Sequence, residues 1–199
     1  MYSVLKRVVF FVLLIGLWAL LFRLGIWPEY ILPSPLSVCK TLVRGFQDQS
    51  LLIGVAISMK RIAIGYGISI GIGIFTGLLI GRFRIFEETL GSLISGLQTL
   101  PTICWLPLSL LWFGLNDRAI IFLVFMGAVL SIATGTDSGV KNVPPLYIRA
   151  AKTMGAKKWK LYLEVIIPAA LPHIIIGMKQ GWSFAWRSLM AGELLIVCL

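Results

Sequence analysis

Long apolar runs without a single charged side chain dominate this chain and decide what it can fold into. Val8–Phe22, Ile62–Ile80, Thr89–Leu115 and Ala119–Thr136 contain no Asp, Glu, Lys or Arg. A fifth run opens at Val165 and continues past Lys179, Arg187 and Glu193 to the end. A membrane-spanning helix needs about 20 mostly apolar residues. Across the 199 residues, 58% are hydrophobic, 13% are charged and the mean hydropathy is +0.94. A soluble domain carries about 25% charged residues, so lipid is the solvent this composition suits. The expected fold class is all-α: a polytopic membrane helical bundle of about five spans, in one transmembrane domain over residues 1–199. Nothing in the sequence marks a second domain.

Local signals divide the runs. Lys6-Arg7 precede the first run, and no small-residue cleavage site follows it. It therefore reads as an uncleaved span, Val8–Trp27, with Arg23 and Trp27 at the interface. In Leu32-Pro33-Ser34-Pro35, Ser34 can cap a helix whose first residue is Pro35. Leu36, Cys39, Val43 and Phe46 then recur at the spacing of a short amphipathic helix. In the second run, Gly67 and Gly71 are four apart, as are Gly73, Gly77 and Gly81, a spacing that lets another helix approach closely. The third run is broken by Pro101 and Pro107, so a kinked or interrupted helix is expected, with Gln98 and Thr99 facing protein or a watery path. Cys39, Cys104 and Cys198 form no CxxC pair and read as small apolar fillers. His173 reads as structural, and Trp105 and Trp112 as packing or interface aromatics.

The net charge of +10 follows the positive-inside rule rather than a nucleic-acid footprint, because the basic residues lie between apolar runs. With the N-terminus in the cytoplasm, Lys6, Arg7, Arg82, Arg84, Lys141, Arg149, Lys152, Lys157, Lys158 and Lys160 fall inside. Arg23, Lys40, Arg44, Lys60, Arg61 and Arg118 fall outside. The cytoplasmic loop at about 137–164 carries six of the inside group.

That loop has helical order. Pro144-Pro145 suits a helix start, Leu146, Ala150 and Met154 are four apart, and Gly155 suits a left-handed stop. Ala156, Trp159 and Leu163 continue into a second short helix that meets the fifth span near Pro168. Small alanines on one face would let such a helix sit in a groove of another protein. An interfacial helix lying on anionic lipid satisfies the same residues.

Arg149-Ala150-Ala151, three residues, Gly155-Ala156, and then Val165-Ile166-Ile167-Pro168 resemble the EAA loop of ABC-importer permeases. Arg149 stands where that family has Glu, and Ile167 where it has Leu. Leu32-Pro33-Ser34-Pro35, Leu100-Pro101, Trp112-Phe113-Gly114-Leu115, Ala185-Trp186-Arg187-Ser188-Leu189 and Ala191-Gly192-Glu193-Leu194 are similar to the sulfonate, taurine and nitrate subgroup. The resemblance implies a coupling role for Arg149, Ala150, Ala151, Met154, Gly155, Ala156, Val165, Ile167 and Pro168. It implies four partners: a separate ABC ATPase subunit that binds ATP, a second permease copy, an extracytoplasmic solute-binding protein and the lipid of a bacterial cytoplasmic membrane. Family members continue through a further span, so the chain is expected to be C-terminally incomplete. A scaffold, a non-functional fragment and an importer of a heterocyclic vitamin precursor are the alternatives.

No GxxxxGK[ST] or HExxH pattern occurs, and no catalytic or metal residue is assigned. Candidate pathway residues are Gln98, Lys179, Ser183, Arg187 and Glu193, the last four near one face of the fifth run with Trp186 and Met190. Charges inside a span face protein, water or a partner. Lys179 and Arg187 could serve an anionic substrate, or Arg187 could pair with Glu193 while Lys179 snorkels.

Overall fold

The computed structural model describes residues 2–197, and these are helical without a strand. They form two compact units, one ending at Ile57 and one starting at Ser58. Cys198 lies outside the described residues.

In the first unit, helix α1 covers Tyr2–Arg23 and helix α2 covers Pro35–Gln47. Helix α1 ends four residues before Trp27, the expected end of the span. Gly25 takes φ +65° and its amide bonds back to the Phe22 carbonyl, which closes the helix there. Ser34 caps α2 as expected: its Oγ accepts from the Ser37 amide at 3.0 Å, with Pro35 in the first turn. The Trp18 indole donates to the Pro33 carbonyl at 3.1 Å, fastening the proline segment to α1. Cys39 is exposed on α2, not packed as a filler, and Cys104 is exposed as well.

Helix α3, Ser50–Arg82, enters the second unit at Ser58. Next come α4 (Arg84–Phe86), a π-turn (Glu87–Gly91) and α5 (Ser92–Gln98). After the break at Thr99–Pro101 a 3₁₀ turn (Thr102–Trp105) leads into α6 (Leu106–Phe113). Helix α7 runs Asp117–Lys141, and α8 spans Pro145–Thr153. The chain closes with α9 (Lys158–Leu161), a second π-turn (Tyr162–Ile166) and α10 (Ile167–Val197). Helix α7 extends beyond Thr136, so Asp137 and Lys141 belong to its last turns rather than to a loop.

Glycine positions fix the packing. A Cβ at Gly65 would meet Val124, at Gly73 Ile132, at Gly77 Thr136 and at Gly81 Val140, all within 3 Å. The pairs advance in the same order along both helices, so α3 and α7 run parallel. The buried stripe of α3 is Gly65, Ser69, Gly73 and Gly77. Gly67 and Gly71, expected to share in the packing, sit on another face with open space around them. Ser69 Oγ donates to the Gly65 carbonyl on its own helix (2.8 Å) and to the Phe125 carbonyl on α7 (3.1 Å). Helix α10 runs antiparallel to α7: Gly127 faces Ser188, Gly135 faces Gly177 and Gly139 faces Ala170. His173 contributes its backbone and Cβ to that same contact.

Parallel α3 and α7 decide the nature of the interrupted segment between them. Arg61, near the start of this part of α3, pairs with Asp117 at the start of α7 at 2.5 Å. Glu87, just after α3 ends, pairs with Lys141 at the end of α7 at 2.9 Å. Residues 84–113 must therefore return from one end of α7 to the other, a helix about 37 Å long at 1.5 Å per residue. The two halves, Arg84–Gln98 and Thr102–Phe113, bend by 103°. Counted as one broken span, they bring the helices long and apolar enough to cross a membrane from four to five among the described residues.

Candidate functional site

The segment between α7 and α10 is ordered by its sequence in every turn. Pro144 and Pro145 start α8, where a missing amide costs nothing. At its end the Ala156 amide bonds to the Ala151 carbonyl (2.9 Å) and the Gly155 amide to Lys152 (3.0 Å), with Gly155 at φ +85°. This is a Schellman stop, which requires a left-handed residue at that position.

The two alanines part company. Ala151 is 8% exposed and packs inward with Val140, Val143, Leu161, Ile166, Ala170 and Ile174. Ala150 is exposed, on the outward side with Leu146, Tyr147 and Met154, the last 87% exposed. Consecutive helical residues lie about 100° apart, so Ala150 and Ala151 do not share a face. The outward face is apolar and unpaired, and Arg149 is exposed beside it with no ion-pair partner among the described residues. A groove of about 250 Å³ lies behind the helix, lined by Ala151, Met154, Gly155, Ala156, Glu164 and Val165 among others.

The link onward to α10 is short. The π-turn at Tyr162–Ile166 widens the helix just before Ile167 and Pro168, whose ring nitrogen has no proton to donate. Arg82, the last residue of α3, places its guanidinium 4.3 Å from the Tyr162 ring centroid and 5.1 Å from each of Trp159 and Phe83. Each such contact contributes about 0.5–2 kcal/mol. Through Arg82 the α9 segment is in contact with the end of α3, and through the π-turn it runs directly into α10. Nothing in the spacing of the sequence pointed to this clasp. The only hint was aromatic residues three apart, Trp159 and Tyr162, in a polar stretch.

The candidate pathway residues do not gather in one place. Gln98 and Arg187 line the same cavity, about 320 Å³, at the break between α5 and α6. Lys179 and Ser183 line a separate groove with Tyr66 and Trp182. Glu193 sits at the far end of α10, where it accepts from Ser58 Oγ (2.7 Å) and from Arg61 (2.9 Å). The expected alternative of an Arg187–Glu193 pair is therefore not formed. Six residues of helix turn by about 120° net and rise about 9 Å, which separates the two. Trp186, grouped with them on the sequence, packs instead against the core of Ile62, Val124 and Leu189. The Ser58–Arg61–Asp117–Glu193 network ties α3, α7 and α10 at one end. Sequence reasoning missed it because its members come from three distant segments.

The profile of the family described as binding-protein-dependent transport system inner membrane component matches residues 69–197. The chain belongs to this family. An ABC transporter permease protein of Methanocaldococcus jannaschii is 37% identical over 187 residues, covering 92% of this chain and 70% of that protein. The nitrate import permease protein of Leptolyngbya laminosa is 32% identical over 97% of this chain and 71% of its own length. The taurine transport system permease protein of Escherichia coli strain K12 is 30% identical over 92% and 68%. A crystal structure of an amino acid ABC transporter with histidines shares the fold, with a TM-score of 0.51 at 18% identity over 73% of this chain and 75% of that one. The chain is thus a permease subunit of an ABC importer. Membership of the family implies an ATPase and a solute-binding protein as partners, and a membrane location.

Proposed function

We propose that this permease subunit carries a small anion and takes its drive from a separate ATPase seated on α8. The observation that carries the reading is the outward apolar face Leu146–Ala150–Met154, held on a helix with a glycine stop and joined through α9 and a π-turn to α10. An apolar helix face in a groove is a recurrent docking mode. The residues expected to couple divide by role. Arg149, Ala150 and Met154 meet the partner. Ala151, Gly155 and Ala156 set the shape of the helix end. Val165, Ile167 and Pro168 lead into the span.

The solute class rests on the nitrate and taurine permeases among the relatives and on the basic side chain of Arg187, which lines the cavity at the α5–α6 break. The N-terminus and α8 are cytoplasmic by the positive-inside bias. The pathway forms between two copies of the chain, and the solute arrives from an extracytoplasmic binding protein.

Proteoliposomes holding the permease, its ATPase and its binding protein test the reading. Nitrate and taurine, offered separately, should show uptake of at least one that depends on ATP. Uptake that proceeds equally without ATP, or a permease that retains no ATPase through purification, contradicts it.

A further inference from the structure

The cavity at the α5–α6 break lies at half-depth in the bundle. Its walls include Gly127, Leu130 and Ser131, the middle residues of α7. From the opposite side α10 presents Arg187, and from the broken span come Gln98, Thr99, Thr102 and Trp105. At about 320 Å³ it falls at the small end of the roughly 300–1,000 Å³ typical of small-molecule sites.

Arg187 makes the cavity informative. A guanidinium at mid-depth is costly in lipid and is found facing a partner, a cavity or water. Among the described residues no carboxylate lies within ion-pair distance of it. Its guanidinium carbon lies 5.4 Å from the centroid of the Phe184 ring. The acidic side chains of the second unit that form ion pairs sit at the two ends: Asp117 and Glu193 at one, Glu87, Glu88 and Asp137 at the other. The chain thus leaves a positive charge in the wall of a largely apolar cavity, beside the neutral polar side chains of Gln98, Thr102 and Ser131. A planar guanidinium with several neutral donors matches an oxyanion. The interrupted backbone at Thr99–Pro101 has the same meaning, since irregular backbone at membrane depth is tolerated where it is buried in protein or lines an aqueous cavity.

We infer that this cavity is a mid-membrane station for one small oxyanion, nitrate or a sulfonate group, with Arg187 as its counter-charge. The inference rests on the anion-importer reading and adds a place and a residue to it. Lys179, in its separate groove, is not part of the station.

The test uses the assembled transporter in proteoliposomes, with saturating binding protein and with nitrate and taurine as probes. Two readouts are taken: retention of the ATPase, and the ATP-driven uptake rate. Arg187→Gln should keep the ATPase and lose about tenfold or more of the uptake rate, with Arg187→Lys between it and wild type. Gln98→Glu, which sets a carboxylate against Arg187, should block uptake as strongly. Lys179→Gln should stay within about twofold of wild type. Uptake near the wild-type rate in an assembled Arg187→Gln or Gln98→Glu transporter overturns the station. So does loss of the ATPase in both variants, because Arg187 would then be holding the assembly together. A wild type that moves neither anion with ATP sinks the anion reading and the station together, and it is told apart because it appears before any substitution.

Discussion

Gly135→Leu is expected to abolish accumulation of folded permease, while Gly71→Leu is tolerated. A Cβ at Gly135 would lie 2.6 Å from the Gly177 Cα, 3.1 Å from the Gly177 nitrogen and 3.3 Å from the His173 carbonyl. All three are backbone atoms, so no side chain can swing aside. Helices in lipid associate through close dispersion contacts rather than through release of water. Separating the α7 and α10 backbones here removes close contacts that run from Gly127 to Gly139. Overpacking of a rigid core costs about 1–3 kcal/mol and more where backbone must move. Losses of that size change cellular abundance several-fold. Gly71 has nothing within 4 Å of its Cβ position. Size-exclusion profiles of fluorescently tagged variants in mild detergent check the pair. A monodisperse Gly135→Leu peak at wild-type height would contradict the packing.

Gly155→Val is expected to leave the permease folded yet disconnect it from its ATPase. Space is not the obstacle, for a Cβ there meets nothing within 4 Å. The obstacle is the backbone, held at φ +85° by the Schellman stop. A residue with a Cβ in the left-handed region costs about 1–2 kcal/mol, and a β-branched one suffers most. The strain falls on a local turn far from the α7–α10 contact, so the spans should survive. What is lost is the angle between α8 and α9. The readout is ATPase retained per permease, expected to fall about fivefold or more, for 1–2 kcal/mol corresponds to roughly a 5–30-fold change in an equilibrium. Gly155→Ala, without the branch, should fall between.

Much of this was legible in the sequence, for local physical reasons. Apolar runs mark spans because lipid leaves backbone groups no partner outside a helix. Ser34-Pro35, Pro144-Pro145 and Gly155 announce helix ends because capping and left-handed turns are decided within four residues. The break near Pro101 follows from a missing amide. What stayed hidden needs three dimensions. Gly67 and Gly71 have the same spacing as Gly73 and Gly77, and only the neighbouring helix α7 shows which glycines it covers. Ala150 and Ala151 look equivalent until one faces the core and the other faces out. Arg82 finds Trp159 and Tyr162, and Arg61 finds Asp117 and Glu193, across separations that no local pattern encodes. Arg187 and Lys179 were grouped by helical phase, yet a few tens of degrees place them in different cavities.

The ATPase is proposed to dock on α8. The most direct measurement of that docking is site-specific photocrosslinking in the assembled complex, with a photoreactive phenylalanine at Met154 or at Leu115. Both positions are exposed, and they lie at opposite ends of the second unit, since Leu115 adjoins the start of α7 at Asp117 and Met154 follows α8 beyond the end of α7 at Lys141. Docking on α8 predicts an ATPase-subunit adduct from Met154 and none from Leu115. An adduct from Leu115 with none from Met154 would contradict it.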